Sequence, residues 1–460
     1  MLSFNGLYGQ DAHEYLRQCR VLYDRMRCLP TPAPQLGDVE FAGGYPLTGA
    51  LLHWLVPDAI LAMQMVTWVS TGLAVWFFYQ NLCLLSPGAH AKSRAVFTAL
   101  GLMLAPYFVR AGMTSMSDMP GLAWTLGAFW LGLRVVYKGR SADAVGAAVL
   151  MAFAVMTRYG LAALLAPLAG AMLLMLWRRQ KWAAITFMVG AGLLALAPHF
   201  WIKNGVEWQF LHHSMGGKWS VAHFFQRNFT NENGTVHYLL PNILYLLFPL
   251  AHPGFCLLLP GLLLLSKKTD VVLPSKKVLI ASLLCYLLLL GGLPHQNLRF
   301  LLPAYALLLL LFFPAWDRMF AYGFYFFKRL TWSILGLLLL VQVVAGMKII
   351  APTLARNRME QEMAAQIRPI IPPGAIVYSF DVDVALRSYL PDMDWKNMWM
   401  YRYDYFEPGS YVIFNEPLLR PQWEGHNPMI NWDHINQTHT LELIHALPDG
   451  WGIYRMMNDE

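Results

Sequence analysis

Residues 138–181 read KGRSADAVGAAVLMAFAVMTRYGLAALLAPLAGAMLLMLWRRQK, two apolar runs between basic ends, interrupted once at Thr157-Arg158-Tyr159. Each run approaches the ~17–25 residues that an α-helix needs to cross a bilayer. Neither carries a polar face along its length, so both suit an apolar environment on every side. Lys138, Arg140, Arg178, Arg179 and Lys181 flank the pair, and the positive-inside rule places such clusters in the cytoplasm. The stretch reads as a membrane hairpin with Arg158 at its outward tip.

The same pattern extends in both directions. Apolar runs are expected to span the bilayer near 58–82, 95–111, 118–137, 141–157, 159–177, 182–202, 247–265, 278–294, 298–316 and 330–350. Basic groups recur at every second connection: Lys92 and Arg94, then Lys267, Lys268, Lys276 and Lys277, then Arg318, Lys328 and Arg329. The intervening segments, 1–57, 112–117, the Arg158 break, 203–246, 295–297 and 351–460, are expected outside. An even number of spans leaves residues 1–57 to be carried across without an apolar anchor, which points to a further helix upstream.

Composition agrees. Of 460 residues, 57% are apolar and only 13% charged, about half the ~25% of a soluble domain. Disorder and small disulfide scaffolds are excluded, and five scattered cysteines form no ligand framework. The net charge of +7 divides unevenly. Residues 351–460 hold 15 acidic and 8 basic groups, while the first 350 hold 12 acidic and 26 basic. Most of the excess lies in short turns, and no basic stripe points to nucleic acid.

Three regions are therefore expected: 1–57 with interfacial helices, a transmembrane domain over 58–350, and an α/β exoplasmic domain over 351–460. In the last, Ala375 to Phe380 and Tyr411 to Asn415 read as buried strands. Leu441 to Leu447 and Gly452 to Met456 read as a hairpin closed by Pro448-Asp449-Gly450. The aromatic run Trp395, Trp399, Tyr401, Tyr403, Tyr405, Phe406 suits either sugar stacking or packing. His212, His213, His223 and His237 share one loop, but their spacing matches no metal template.

Ionisable groups at a membrane edge are costly unless they are needed. Asp11 and Glu14, in Gly9-Gln10-Asp11-Ala12-His13-Glu14-Tyr15, fit a capping box, and Asp11 equally fits a general base for an acceptor hydroxyl. Asp118, in Ser117-Asp118-Met119-Pro120, reads as a helix N-cap or as a second acid at the same depth. Arg158, Lys203 and Arg299, the last in His295-Gln296-Asn297-Leu298-Arg299, read as interface anchors or as partners of a phosphate.

These motifs, in this order, resemble those of the C-type integral-membrane glycosyltransferases, the superfamily of protein O-mannosyltransferases and of the aminoarabinose transferase acting on lipid A. Gly9-Gln10-Asp11 through Tyr15 resembles the acidic motif of the first exoplasmic loop, and the Tyr45-Pro46 helix follows it. Ser117-Asp118-Met119-Pro120 resembles the second acid at a helix start. Thr157-Arg158-Tyr159 and Arg299-Phe300-Leu301-Leu302-Pro303 resemble later signatures. The adjacent Asp-Glu pair frequent in that superfamily is here Gln10-Asp11.

The resemblance implies a polytopic helical fold and transfer of a sugar from a polyprenyl phosphate to an acceptor glycan, lipid or protein on the outer face of a bacterial inner membrane. It implies catalytic roles for Asp11, Asp118 and Glu14, and substrate contacts from Tyr15, Arg158, Tyr159, Lys203, His295 and Arg299. No nucleotide-binding loop is present in the sequence and no cofactor is implied. A transporter or flippase, the alternative from another class, predicts charges at mid-span, whereas these cluster at one edge.

Overall fold

The structure is a computed structural model that describes residues 4–31, 41–203, 217–231, 234–255, 262, 273–326 and 328–457. The chain divides into two compact units. The membrane unit comprises Gln18–Gln226 and Leu240–Ala351, and the sheet unit comprises Met1–Arg17, Arg227–Leu239 and Pro352–Glu460. The segment 1–57, expected as one piece, is thus shared between them.

Helices dominate the membrane unit. Helix α1 (Gly9–Met26) enters it from the sheet unit, and α2 (Gly44–His53) holds the Tyr45-Pro46 motif. Helix α3 (Ala59–Leu85) is capped by Asp58, whose carboxylate accepts from the Ile60 N–H at 2.8 Å. Among the described residues six helices are long and apolar enough to span a membrane, or seven if one bent pair is counted as a span. Their centre is the buried α6 (Asp118–Lys138), which packs on α3, α7 (Ala142–Thr157) and α8 (Leu161–Arg178). Asn81 ties α3 to α6, donating to the carbonyls of Phe77 and Leu126 at 2.9 Å each. In lipid such pairing matters, since no water competes for a buried amide. Gly139, at φ 66°, ends α6 in the left-handed conformation that glycine adopts without strain.

Two expected spans take a different form, and a third lies partly outside the described residues. The run at 95–111 does not cross as one rod. Helix α4 (Ala91–Phe97) continues as a π-helical turn to Met103, and α5 (Pro106–Met113) leaves at 71°. Pro106 explains the break, because its ring cannot follow a continuing helix. Within 247–265, residues 256–261 and 263–265 lie outside the described residues, as do Lys267 and Lys268. The run at 330–350 does not stop there: a 40-residue helix extends over Lys328–Ile367 through Pro352. Between these lie α9 (Trp182–Lys203), α10 (Leu273–Gly291) and α11 (Leu302–Phe326), making the long helix α12.

The sheet unit carries a five-stranded mixed sheet. With β1 (Asn228–Asn231) and β2 (Gly234–His237) forming a separate hairpin, its strands are β3 (Ile376–Ser379), β4 (Asp394–Asn397), β5 (Tyr411–Phe414), β6 (Leu441–Ala446) and β7 (Gly452–Met456). The order is β4-β3-β5-β7-β6, with β3 parallel to both neighbours and β7 antiparallel to both of its own. Both strands read as buried are so, and Asp449 at φ 54° with Gly450 at φ 81° turns the expected hairpin. Val377, Val412, Ile413 and Phe414 are fully buried, with Phe406 and Trp451 packed among them. The aromatic run divides accordingly: Trp395 and Phe406 belong to this core, whereas Tyr401 and Tyr405 are exposed.

Candidate functional site

Ser117 ends the turn before α6, and Asp118 is its first helical residue. The expected cap does not form: no side chain caps this helix, and the Asp118 carboxylate instead accepts from Arg158 Nη1. The reason lies in the α7–α8 break. Arg158 is extended at φ −160°, ψ 108°, so its side chain leaves the helix axis and reaches α6. The break is buttressed by α2, where the Gly44 Cα faces the Met156 carbonyl so closely that a Cβ would stand 2.8 Å from its carbon and oxygen. Only glycine fits there.

Arg299 arrives from the other side. It sits in a 3₁₀ turn, Leu298–Leu301, whose N-cap Asn297 accepts from the Arg299 N–H at 3.2 Å. The approach is pinned by Tyr245, whose hydroxyl donates to the Asn297 carbonyl at 2.6 Å, and by Gln296, which donates to Leu240 and Asn242. Arg299 Nη1 lies 2.9 Å from the Met116 sulfur, two residues before Asp118. Phe300 serves as a shared platform. The guanidinium carbons of Arg158 and Arg299 lie 4.3 and 5.5 Å from its ring centroid, and the His295 ring lies 6.0 Å away.

Three guanidinium charges act on the one Asp118 carboxylate, those of Arg158, Arg299 and Arg110. Arg110, on α5, and Phe300 as a platform were not legible as site residues beforehand. The one signal for Arg110 is a guanidinium eight positions before Asp118 at the end of an otherwise apolar run. Asp118 is nearly fully buried, while the three arginines are half-buried. The cluster thus holds three guanidinium groups to the one Asp118 carboxylate, and the guanidinium fork matches the oxygens of a phosphate.

Tyr159 and Lys203 form a second group. The Lys203 ammonium donates to the Phe41 carbonyl at 2.6 Å and lies 5.9 Å from the Tyr159 ring, which meets the His199 ring edge-on at 5.8 Å.

Asp11, Glu14 and Tyr15 are in the sheet unit. Helix α1 begins at Gly9, so Asp11 lies within its first turn and the expected capping box is displaced. Asp11 is half-buried, and Glu14 is clasped by Arg17 at 2.6–3.1 Å on the same helix. Tyr15 is buried. His223 and His237 bond to the Gly292 carbonyl and to Asn228, while His212 and His213 lie outside the described residues. Among the described residues no three His, Cys, Asp or Glu side chains are grouped to hold a metal.

The architecture has known counterparts. ArnT from Cupriavidus metallidurans bound to undecaprenyl phosphate superposes with a TM-score of 0.64 at 13% identity, covering 97% of this chain and 94% of that one. Its apo state superposes with a TM-score of 0.63, also at 13% identity, covering 98% and 94%. No curated protein matches the sequence significantly. The profile of the Alg9-like mannosyltransferase family matches residues 47–372, well over half of the 460. Its C-type fold is that of the membrane glycosyltransferases, and this chain belongs to the Alg9-like mannosyltransferase family.

Proposed function

We propose that this membrane glycosyltransferase takes its sugar from a polyprenyl phosphate and passes it to an acceptor hydroxyl on the outer membrane face. The observation that carries this reading is the gathering of Arg158, Arg299 and Arg110 on Asp118 at one end of a membrane span. Undecaprenyl phosphate in the similarly folded ArnT supports a lipid-linked donor.

In the proposed reaction the acceptor oxygen bonds to the anomeric carbon as the bond from that carbon to the phosphate oxygen breaks. Positive charge develops on the sugar, and negative charge on the departing lipid phosphate. The guanidinium groups meet that phosphate, preorganised by Asp118 and Phe300, so their stabilisation grows as the leaving group charges. Asp11 takes the acceptor proton, with Glu14 and Tyr15 beside it on α1. Tyr159, Lys203 and His295 are assigned to the donor. Charge neutralisation falls to arginine, and no cofactor or metal is assigned.

The donor sugar, hexose or pentose, and the acceptor (glycan, lipid or protein) are both to be identified by assay. Polyprenyl-phosphate sugars extracted from native membranes, offered to the purified protein, should yield one consumed donor. If none is consumed, the reading falls. Asp11→Asn should abolish transfer with membrane insertion intact, and unchanged product from it would refute the base assignment. The basic clusters support an inner-membrane protein with its sheet unit in the periplasm. A Tyr405→Cys variant, at an exposed position, should then react with an impermeant maleimide from outside; protection in intact cells would reverse the topology.

A further inference from the structure

The first turn of α1 is tied down by buried polar groups of its own unit. His13 Nε2 and Glu360 Oε2 are 3.3 Å apart, and neither side chain has any exposure. Arg356 bridges Glu360 at 2.6 Å and Asp381 at 2.9 Å. Gln10 Nε2 donates to the Asp381 carboxylate at 3.4 Å and to its carbonyl at 3.5 Å. Just before the helix, Asn357 donates to Asn5 and to the Leu7 carbonyl at 2.7 and 2.8 Å. Asn5 in turn donates to the Tyr389 hydroxyl, whose ring meets His13 edge-on at 5.3 Å.

Asp381 makes the arrangement unusual. It lies two residues past the end of strand β3 at φ 70°, a left-handed conformation uncommon outside glycine, though aspartate tolerates it better than most residues. In that conformation one residue offers its carboxylate and its carbonyl to the same two partners, since Arg356 Nη2 also donates to the carbonyl at 3.2 Å. Strain of this kind persists only where surrounding contacts over-determine it.

These contacts fix a rotation. Gln10 and His13, three residues apart, share one face of α1, and Asp11 and Glu14 share the next. Apolar packing alone is non-directional, whereas the part-buried hydrogen bonds of Gln10 and the fully buried contact of His13 set the azimuth of residue 11. We infer that His13, Glu360, Arg356 and Asp381 are positioning residues that aim the Asp11 carboxylate, so the sheet unit sets the geometry of proton transfer. This rests on the reading of Asp11 as the base.

The test uses the full-length protein and native-membrane polyprenyl-phosphate sugars. Glu360→Gln keeps the side-chain length and removes the charge that holds His13 and Arg356. It should lower kcat by about tenfold or more, because misplacement by about 1 Å can cost ~100-fold. KM for the donor and affinity for undecaprenyl phosphate should stay within about twofold. In an Asp11→Glu background, whose carboxylate is already displaced, Glu360→Gln should cost little more, the non-additivity of groups acting as one unit. Asp381→Asn, at the more exposed end of the network, should act in the same direction and serves if Glu360→Gln misfolds. Unchanged kcat in both variants, or an equal fall in both backgrounds, overturns the inference. Full turnover in Asp11→Asn instead overturns the base reading, whatever Glu360→Gln does.

Discussion

Arg158 and Asp118, forty positions apart, form an ion pair between a break in one helical hairpin and the first residue of the buried helix α6. The carboxylate accepts from Arg158 Nη1, and the charges of Arg299 and Arg110 also act on it. Asp118 is therefore an orienting group and not a charge in surplus. Asp118→Asn removes one negative charge from three cations. We expect undecaprenyl phosphate to bind at least as tightly as to wild type while turnover falls about tenfold or more, because Arg158 loses its direction. A parallel loss of lipid-phosphate affinity, measured by titration with undecaprenyl phosphate, would show that the carboxylate contributes to folding alone.

Replacement of the cations should do the opposite. Charge-assisted hydrogen bonds contribute about 1.5–3 kcal/mol each, so Arg299→Gln and Arg110→Gln should each weaken undecaprenyl phosphate about tenfold or more. Arg110 is the sharper test, since it belongs to none of the motifs that singled out Arg158 and Arg299. Wild-type affinity in Arg110→Gln would confine the site to Arg158 and Arg299.

Gly44 reports on the scaffold behind Arg158. A Cβ at this position meets backbone atoms of Met156 and Thr157 at 2.8–2.9 Å, and backbone cannot swing aside as a side chain does. Gly44→Ala should shift the α7 terminus and lower turnover with Arg158 itself intact. Gly72→Ala, where nothing lies within 4 Å of the added carbon, is the control and should leave turnover unchanged. Equal turnover in the two variants would remove the buttress.

The spans were legible because their signal is local: charge-free runs of the right length with basic ends, as in 138–181. Hairpins were legible where turn chemistry is local, as at Pro448-Asp449-Gly450. Asp118, Arg158 and Arg299 stood out as ions where ions are costly. What joined them did not, because a pair forty residues apart is set by helix packing and not by spacing. The same holds for His13 with Glu360, whose 347-residue separation no periodicity encodes. Pro106 did announce the break in 95–111, but apolarity on every side hid it within a continuous run. The extension of α12 past residue 350 was missed because the chain turns polar there while the helix continues, changing its surroundings and not its conformation.

Asp383 gives a pH signature to the sheet unit. Its side chain is fully buried; one oxygen accepts from Asn397 at 2.7 Å, and the other has no partner among the described residues. Burial pushes the carboxyl up to about 6, against the Asn397 hydrogen bond, which lowers it. In the unfolded chain the same group titrates near ~3.9. Below about pH 4 both states are protonated and the group costs nothing. As pH rises from about 4 to 6 the unfolded state ionises first, so stability falls, and above about 6 the full cost of about 2–3 kcal/mol is present. Asp383→Asn keeps the shape and removes the titration. Thermal melting of the full chain in detergent should therefore show Asp383→Asn above wild type at pH 7.5, with the gap closing near pH 4. A gap that is the same at both pH values would mean that Asp383 is already neutral, or already paired, throughout the range.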